Sequence, residues 1–206
     1  MQAMTVFLVD DEPAVRGALC FLLRSRGLSV LDFGSAEALL EQIDAWGGNV
    51  PAGCFVLDVR MLQMSGLALH DVLLARGLRQ PVLFLSGHGD IPMVVEALKK
   101  GAFDFLEKPY SDNTLVDRIE KALSVASAMH EDAARDTEVR ARLACLTPRE
   151  RDVMRLVAAG RLNKQIAADL NLAMRTVEVY RARVFAKLEL RSSAELGALL
   201  AQYPDA

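Results

Sequence analysis

Three carboxylates, a hydroxyl and an ammonium stand at the ends of short apolar runs in the first half of this chain. Asp10-Asp11 follow VFLV, Asp58 follows CFVL, Ser86 follows VLFL, and Lys108 comes shortly after FDFL. Three acids with room for water suit Mg²⁺, a hard cation that takes oxygen ligands and keeps part of its hydration shell. The hydroxyl and the ammonium suit a phosphoryl group, one as a hydrogen-bond donor and the other as a positive charge. In that chemistry the Asp58 carboxylate attacks the phosphoryl group of a donor. Asp10 and Asp11 hold the cation that neutralises charge on the group in transfer. Taken singly, each residue has a plainer reading. Asp-Asp-Glu-Pro caps a helix, Asp58 is a solvated loop acid, Ser86-Gly87 is a turn, and Lys108-Pro109 is a corner between strand and helix. The complementary set at four strand ends is what argues for one site.

The elements that must position these groups follow from the apolar pattern. Runs of about five β-rich residues read as buried strands of a parallel sheet. Ligands of open α/β sheets bind beyond the carboxyl ends of such strands. The spacing predicts strands over Thr5–Val9, Ser29–Phe33, Cys54–Leu57, Pro81–Leu85 and Phe103–Leu106. Between them it predicts helices from Pro13 to Arg26, from an N-cap at Ser35, from Leu67 to Arg76 and from Ile91 to Lys100, with a further helix starting at Asp112. Gly27, Gly77 and Gly101 stand where helices commonly end. Five β-α units of this length make an α/β doubly wound, flavodoxin-like fold with a five-stranded parallel sheet.

Residues 125–143 are polar, Ala-rich and free of Gly and Pro, and read as a helical linker. Beyond Leu146 the strand signal vanishes. Thr147-Pro148-Arg149-Glu150 is a capping box with Pro at the first helical position. Helices over Asn163–Leu170, Met174–Leu188 and Ser193–Gln202 complete an all-α four-helix domain. The expected division is 1–124, a linker at 125–143, and 144–206.

Composition narrows the class. The chain has 206 residues, 52% of them hydrophobic, enough to bury a core in each of two domains. No run reaches the roughly 18 apolar residues of a membrane span, and no secretory leader pattern opens the sequence. The expectation is a cytoplasmic protein with no membrane partner. Three cysteines without metal-type spacing fit a reducing compartment. Residues 1–123 carry 11 Lys/Arg against 16 Asp/Glu, whereas residues 146–206 carry 10 against 7. An acidic first part and a basic last part suggest an anionic partner for the last.

A short helix, a tight turn and a second helix rich in arginine form a helix-turn-helix pattern. Along the second helix Val177, Val184 and Leu188 should face the core. Another side carries Glu178, Val179 and Ala182, flanked by Arg175, Arg181 and Arg183. Lys164, Arg175, Thr176 and Arg183 are candidates for DNA phosphates, which give affinity without sequence information. Glu178 can accept from a cytosine amine, and Val179 or Ala182 can touch a thymine methyl. The pattern alone also fits an ordinary helical domain with solvated arginines.

The segments LVDDEPAVR, FVLDVRMLQMSGL, VLFLSGHGDIPM and FDFLEKPY resemble the receiver domains of two-component response regulators over residues 3–125. The resemblance implies Mg²⁺ binding by Asp11, Asp58 and the Arg60 backbone carbonyl, with Asp10 assisting. It also implies phosphotransfer from a sensor histidine kinase, and it puts Phe105 at the position of a switch aromatic. A core strand residue is the plainer reading of Phe105. Leu62 departs from the pattern: the family usually has proline four residues after the acceptor. LTPRERDVMRLVAAG and NKQIAADLNLAMRTVEVYRARVFAKLEL resemble the LuxR-type helix-turn-helix of the FixJ and NarL regulators over residues 144–202. That implies double-stranded DNA as a partner and a homodimer on two half-sites when phosphorylated. Two alternatives stand beside this reading. One is a regulator of the same build that works without phosphate. The other is an Mg²⁺-dependent phosphatase, which needs a general acid two residues after Asp58, where this chain has Arg60. The chain is therefore expected not to be an enzyme.

Overall fold

The computed structural model describes residues 4–87 and 91–204, in two compact units spanning residues 1–131 and 132–206. In the first unit, strands β1 (Thr5–Val9), β2 (Ser29–Phe33), β3 (Gly53–Asp58), β4 (Val82–Ser86) and β5 (Asp104–Glu107) alternate with helices. These are α1 (Pro13–Ser25), α2 (Ala36–Ala45), α3 (Gly66–Ala75), α4 (Ile91–Lys99) and α5 (Asp112–Ala144), whose residues from 132 onward belong to the second unit. The strands form one parallel sheet in the order β2-β1-β3-β4-β5, the expected doubly wound fold.

The central strands are apolar on both faces because helices cover both. Val6 and Leu8 of β1, Cys54 and Val56 of β3, and Leu83 and Leu85 of β4 point to one layer. There they meet Leu19 and Leu23 of α1 and Leu115 and Ile119 of α5. The alternate residues Phe7, Val9, Phe55, Leu57, Val82 and Phe84 meet Leu39 and Ile43 of α2, Leu69 and Leu73 of α3, and Ala97 of α4. A period of two along each strand thus builds two cores, and a one-residue slip would exchange them. The edges differ. β2 is mostly exposed, with Asp32 paired to Arg16 and Arg24. The other edge strand, β5, is half-buried throughout and lies one residue later than the sequence predicts.

Two glycines are demanded by close packing of backbone. A Cβ on Gly53 would lie 1.8 Å from the Thr5 carbonyl oxygen, across the β1–β3 pair. A Cβ on Gly66 would lie 2.2 Å from the carbonyl oxygen of Asp58, so the start of α3 rests directly on the end of β3. Ser65 caps that helix by accepting from the Ala68 N–H.

The second unit contains α6 (Pro148–Ala158), α7 (Asn163–Leu170), α8 (Met174–Leu188) and α9 (Ser193–Gln202). Val153, Val157, Ile166, Val177, Val184, Leu188 and Leu196 form its core, with Leu143 from the end of α5 and Leu146. The capping box at Thr147–Glu150 forms as its sequence requires. Glu150 is also buried, and its carboxylate accepts from Lys187 Nζ at 2.7 Å, so the start of α6 is tied to the end of α8. Asn171 ends α7 in the left-handed conformation, φ 54°, which makes the sharp turn into α8. Residues 125–143 are part of the 33-residue helix α5.

Candidate functional site

The site is built at the carboxyl edge of the sheet. Asp10 lies just past β1, with its main-chain N–H bonded to the Phe33 carbonyl. Its Oδ1 accepts from the Glu12 N–H at 2.9 Å, and Arg16 Nη1 donates to its carbonyl at 2.8 Å. Asp58 ends β3, and its Oδ2 accepts from the Arg60 N–H at 2.9 Å. Ser86 ends β4 and is fully buried. Its carbonyl accepts from the Lys108 N–H at 2.8 Å, which fixes the main chain of Lys108 beside β4. From there the ammonium reaches Asp58 Oδ1 at 2.5 Å and Asp10 Oδ2 at 3.8 Å.

The structure therefore brings Asp10, Asp58 and Lys108 together around one ion pair. Asp11 is held differently: its Oδ2 accepts from the Leu62 N–H at 2.9 Å. Among the described residues no three His, Cys, Asp or Glu side chains form a metal-binding group. Mg²⁺ does not need such a cage, since it keeps several waters and takes one or two carboxylates. Two buried atoms bear on the fit. Asp10 Oδ2 and Ser86 Oγ have no hydrogen-bond partner among the described residues. Buried oxygens left unpaired cost free energy unless a ligand or cation satisfies them. A hard cation suits the first and a phosphoryl oxygen the second, so the residues present fit the Mg²⁺ expected from the sequence.

Charge is concentrated here. Burial is the main cause that pushes the Asp58 carboxyl above its ordinary range. The nearby Asp10 charge adds to it, while Lys108 and the Arg60 N–H oppose it. For Lys108 burial acts downward, but the hydrogen bond to Asp58 and the charges of Asp58 and Asp10 outweigh it and raise its pKa. The ammonium is thus a fixed positive charge, partly open to solvent, beside a nearly buried carboxylate. Phe105 lies on β5 opposite Phe84 of β4, half-buried against the layer that contains Leu57 and Phe84. His88, Gly89 and Asp90 of the quoted SGHGDIPM segment lie outside the described residues.

In the helical unit, Lys164, Arg175, Glu178, Val179, Ala182 and Arg183 are exposed on α7 and α8, and Thr176 is half-buried. Arg181 differs from its neighbours. Its guanidinium donates to Asn163 Oδ1 at 3.0 Å and to Ser193 Oγ at 2.8 Å, and lies over the Phe185 ring. It joins α7, α8 and α9. Sequence reading grouped it with the exposed arginines, because helical spacing cannot reveal an acceptor contributed by another helix.

Comparison with known proteins agrees with both halves. Residues 6–120 match the response regulator receiver domain, and residues 144–200 match the bacterial regulatory proteins of the luxR family. The chain is 45% identical over 196 residues to the C4-dicarboxylate transport transcriptional regulatory protein DctR of Rhodobacter capsulatus, covering 94% of this chain and 98% of that one. It is 44% identical over 197 residues to the transcriptional regulatory protein FixJ of Azorhizobium caulinodans, covering 95% and 90%. Among solved structures, the response regulator StyR superimposes with a TM-score of 0.86 at 39% identity, over 98% of this chain and all of that one. Full-length FixJ from B. japonicum gives 0.60 at 39% identity, over the whole of both chains. These relatives include named transcriptional regulators, and no helix among the described residues is long and apolar enough to cross a membrane. With a receiver domain followed by a LuxR-type DNA-binding domain, the chain belongs to the response regulators, in the build of the FixJ-type phosphorylation-dependent transcriptional regulators.

Proposed function

We propose that Asp58 is the phosphoacceptor and that its phosphorylation by a sensor histidine kinase controls binding of the helical unit to DNA. The observation that carries this reading is the Asp58–Lys108 ion pair at 2.5 Å, set beside Asp10 Oδ2 and Ser86 Oγ, which accept or donate no hydrogen bond among the described residues. Asp58 is the nucleophile, Lys108 the charge that a phosphoryl group would engage, and Ser86 the hydroxyl that would donate to it. Asp10, Asp11, Asp58 and the Arg60 carbonyl would hold Mg²⁺, which supplies neutralisation of the phosphoryl oxygens during transfer.

A phosphoryl group adds about −2 charge at one edge of the sheet. Lys108 would turn from the Asp58 carboxylate to the new oxygens, and Ser86 would move toward them. The space this frees lets Phe105 turn inward, changing the surface around α4 and β5. If the active state is about 1% populated at rest, reaching 99% takes about 5.5 kcal/mol of differential stabilisation. Dimerisation on two half-sites doubles the DNA contacts and brings affinity into a working range. In this reading residues 1–124 form the receiver, 125–143 the linker and 144–206 the DNA-binding part. A regulator that reads DNA works in the cytoplasm. Lys164, Arg175, Thr176 and Arg183 take phosphates, with Arg181 beside them as the strut that holds the surface. Glu178, Val179 and Ala182 face bases.

Asp58→Asn tests the assignment. The variant should take up no acid-labile phosphate from a small-molecule donor with Mg²⁺. Footprinting on the DNA upstream of the chain's own gene, with and without the donor, tests the coupling. Equal protection in both conditions would refute control by phosphate.

A further inference from the structure

The loop from β3 to α3, residues 59–65, carries the Arg60 carbonyl and is bonded to Asp11 of the first loop. Main-chain donors hold it there. Arg60 N–H reaches Asp58 Oδ2 at 2.9 Å, Leu62 N–H reaches Asp11 Oδ2 at 2.9 Å, and Gly66 N–H reaches the Val59 carbonyl at 3.2 Å. Val59, Met61 and Met64 pack on the core, whereas Leu62 at the apex is 77% exposed and adds no such packing. The next residue, Gln63, sits in the left-handed region at φ 63°, where a side chain is disfavoured. The Leu62–Asp11 bond joins the apex to the loop after β1.

That bond has a second effect. It occupies Oδ2 of Asp11 and fixes the carboxylate plane, while Oδ1 accepts no hydrogen bond among the described residues. A carboxylate has about four acceptor sites, so one donor does not exhaust it. Hydrogen bonds to a ligating carboxylate orient it for its cation, and their loss commonly costs 10–100-fold in metal affinity. Proline, usual at this position in the family, has no N–H and cannot make this bond.

We propose that the main-chain N–H of Leu62 is a positioning group for the cation site: it holds Asp11 with Oδ1 free for Mg²⁺ and makes the order of loop 59–65 depend on that carboxylate. The proposal rests on the reading of Asp11 as a Mg²⁺ ligand. Loop order and cation binding therefore share one group.

Calorimetric titration of Mg²⁺ into the full chain, without phosphoryl donor, tests it. Leu62→Pro should raise the Mg²⁺ dissociation constant by about tenfold or more, and Leu62→Ala, which keeps the N–H, should restore it to within about twofold of the unaltered chain. Unchanged or tighter binding by Leu62→Pro overturns the proposal. A second measurement needs no metal. Amide hydrogen exchange at Leu62 should be slow in the unaltered chain and at least about tenfold faster in Asp11→Ala, as expected for loss of a bond worth about 1.4 kcal/mol or more. Equal exchange in the two proteins also overturns it. Absence of any Mg²⁺ binding by the unaltered chain sinks both this proposal and the site reading beneath it, whereas binding that Leu62→Pro leaves untouched sinks the proposal alone.

Discussion

Gly66→Ala is the sharpest test of how the fold positions Asp58. The added Cβ would start 2.2 Å from the Asp58 carbonyl oxygen, and contact becomes ordinary only at 3.4 Å, so about 1.2 Å must open between α3 and the end of β3. Both partners are backbone, so no side chain can swing aside. Alanine is normally favoured over glycine inside a helix by about 1 kcal/mol, whereas overpacking of this kind costs about 1–3 kcal/mol. The clash should win, leaving the receiver up to about 2 kcal/mol less stable. The larger effect should be chemical. A displacement near 1 Å at a reacting group can cost about 10²-fold in rate, and the strand end that moves carries Asp58. Phosphorylation from a small-molecule donor with Mg²⁺ should slow by about that factor at saturating Mg²⁺. Ser65→Ala is the control: it removes the cap on Ala68 N–H and costs about 1 kcal/mol, but leaves the contact with Asp58 intact. Equal rates for Gly66→Ala and the unaltered chain, or a rise in its melting temperature, would refute the argument that α3 sets the position of Asp58.

Other expectations concern charge and the helical unit. The Lys187 hydrogen bond, helped by those from Thr147, holds the Glu150 carboxyl below its ordinary value. Its contribution to stability is therefore complete above about pH 4.3 and is lost as pH falls through the lower folded value; Glu150→Gln should flatten that part of a stability-against-pH curve. Lys187→Met, which leaves a buried carboxylate without its ammonium, should cost about 1–3 kcal/mol in denaturant unfolding of the helical unit, reduced because the lysine is partly exposed. Burial, aided by Lys100 and opposed by Asp71, depresses the pKa of His70. Its folded state is favoured fully above about pH 6.5 and progressively less below it, so His70→Leu should reduce the loss of receiver stability between about pH 7 and 5. Arg181→Ala should lower the stability of the helical unit by about 2 kcal/mol. Arg183→Ala should leave stability unchanged, weaken DNA binding evenly across sequences and reduce its salt slope by about 1.

Much of this architecture is legible in the sequence because its signals are local. Thr5–Val9 and Ser29–Phe33 are strands over the residues that their apolar runs mark, and Thr147 with Glu150 forms the capping box that their spacing implies. β4 and β5 each start and end one residue later than their apolar runs mark, because backbone pairing carries each strand on into the polar residue after the run, Ser86 and Glu107. What the sequence does not reveal is contributed by main chain or by distant residues. Leu62 is noticeable only as a departure from a pattern; its donor bond to Asp11 spans 51 positions and involves no side chain of its own. Glu150 reads as one half of a capping box, and its burial against a lysine 37 residues later is not part of that signal. Gly66 reads as a loop glycine, and only the approach of two backbones shows why a methyl group does not fit.

Arg181 divides α8 into what can change and what cannot. Its bonds to Asn163 and Ser193 make one side of the helix part of the scaffold. Glu178, Val179 and Ala182 have no such duty, being exposed on the same helix within a turn of it. A lineage can therefore exchange those three residues at almost no cost in folding and, on the proposed reading of them as the base-facing set, change the DNA sequence preferred. The expected signature of a change in target genes is variation confined to these positions around an arginine that stays, and a library randomised only there should remain folded while its preferred operators diverge.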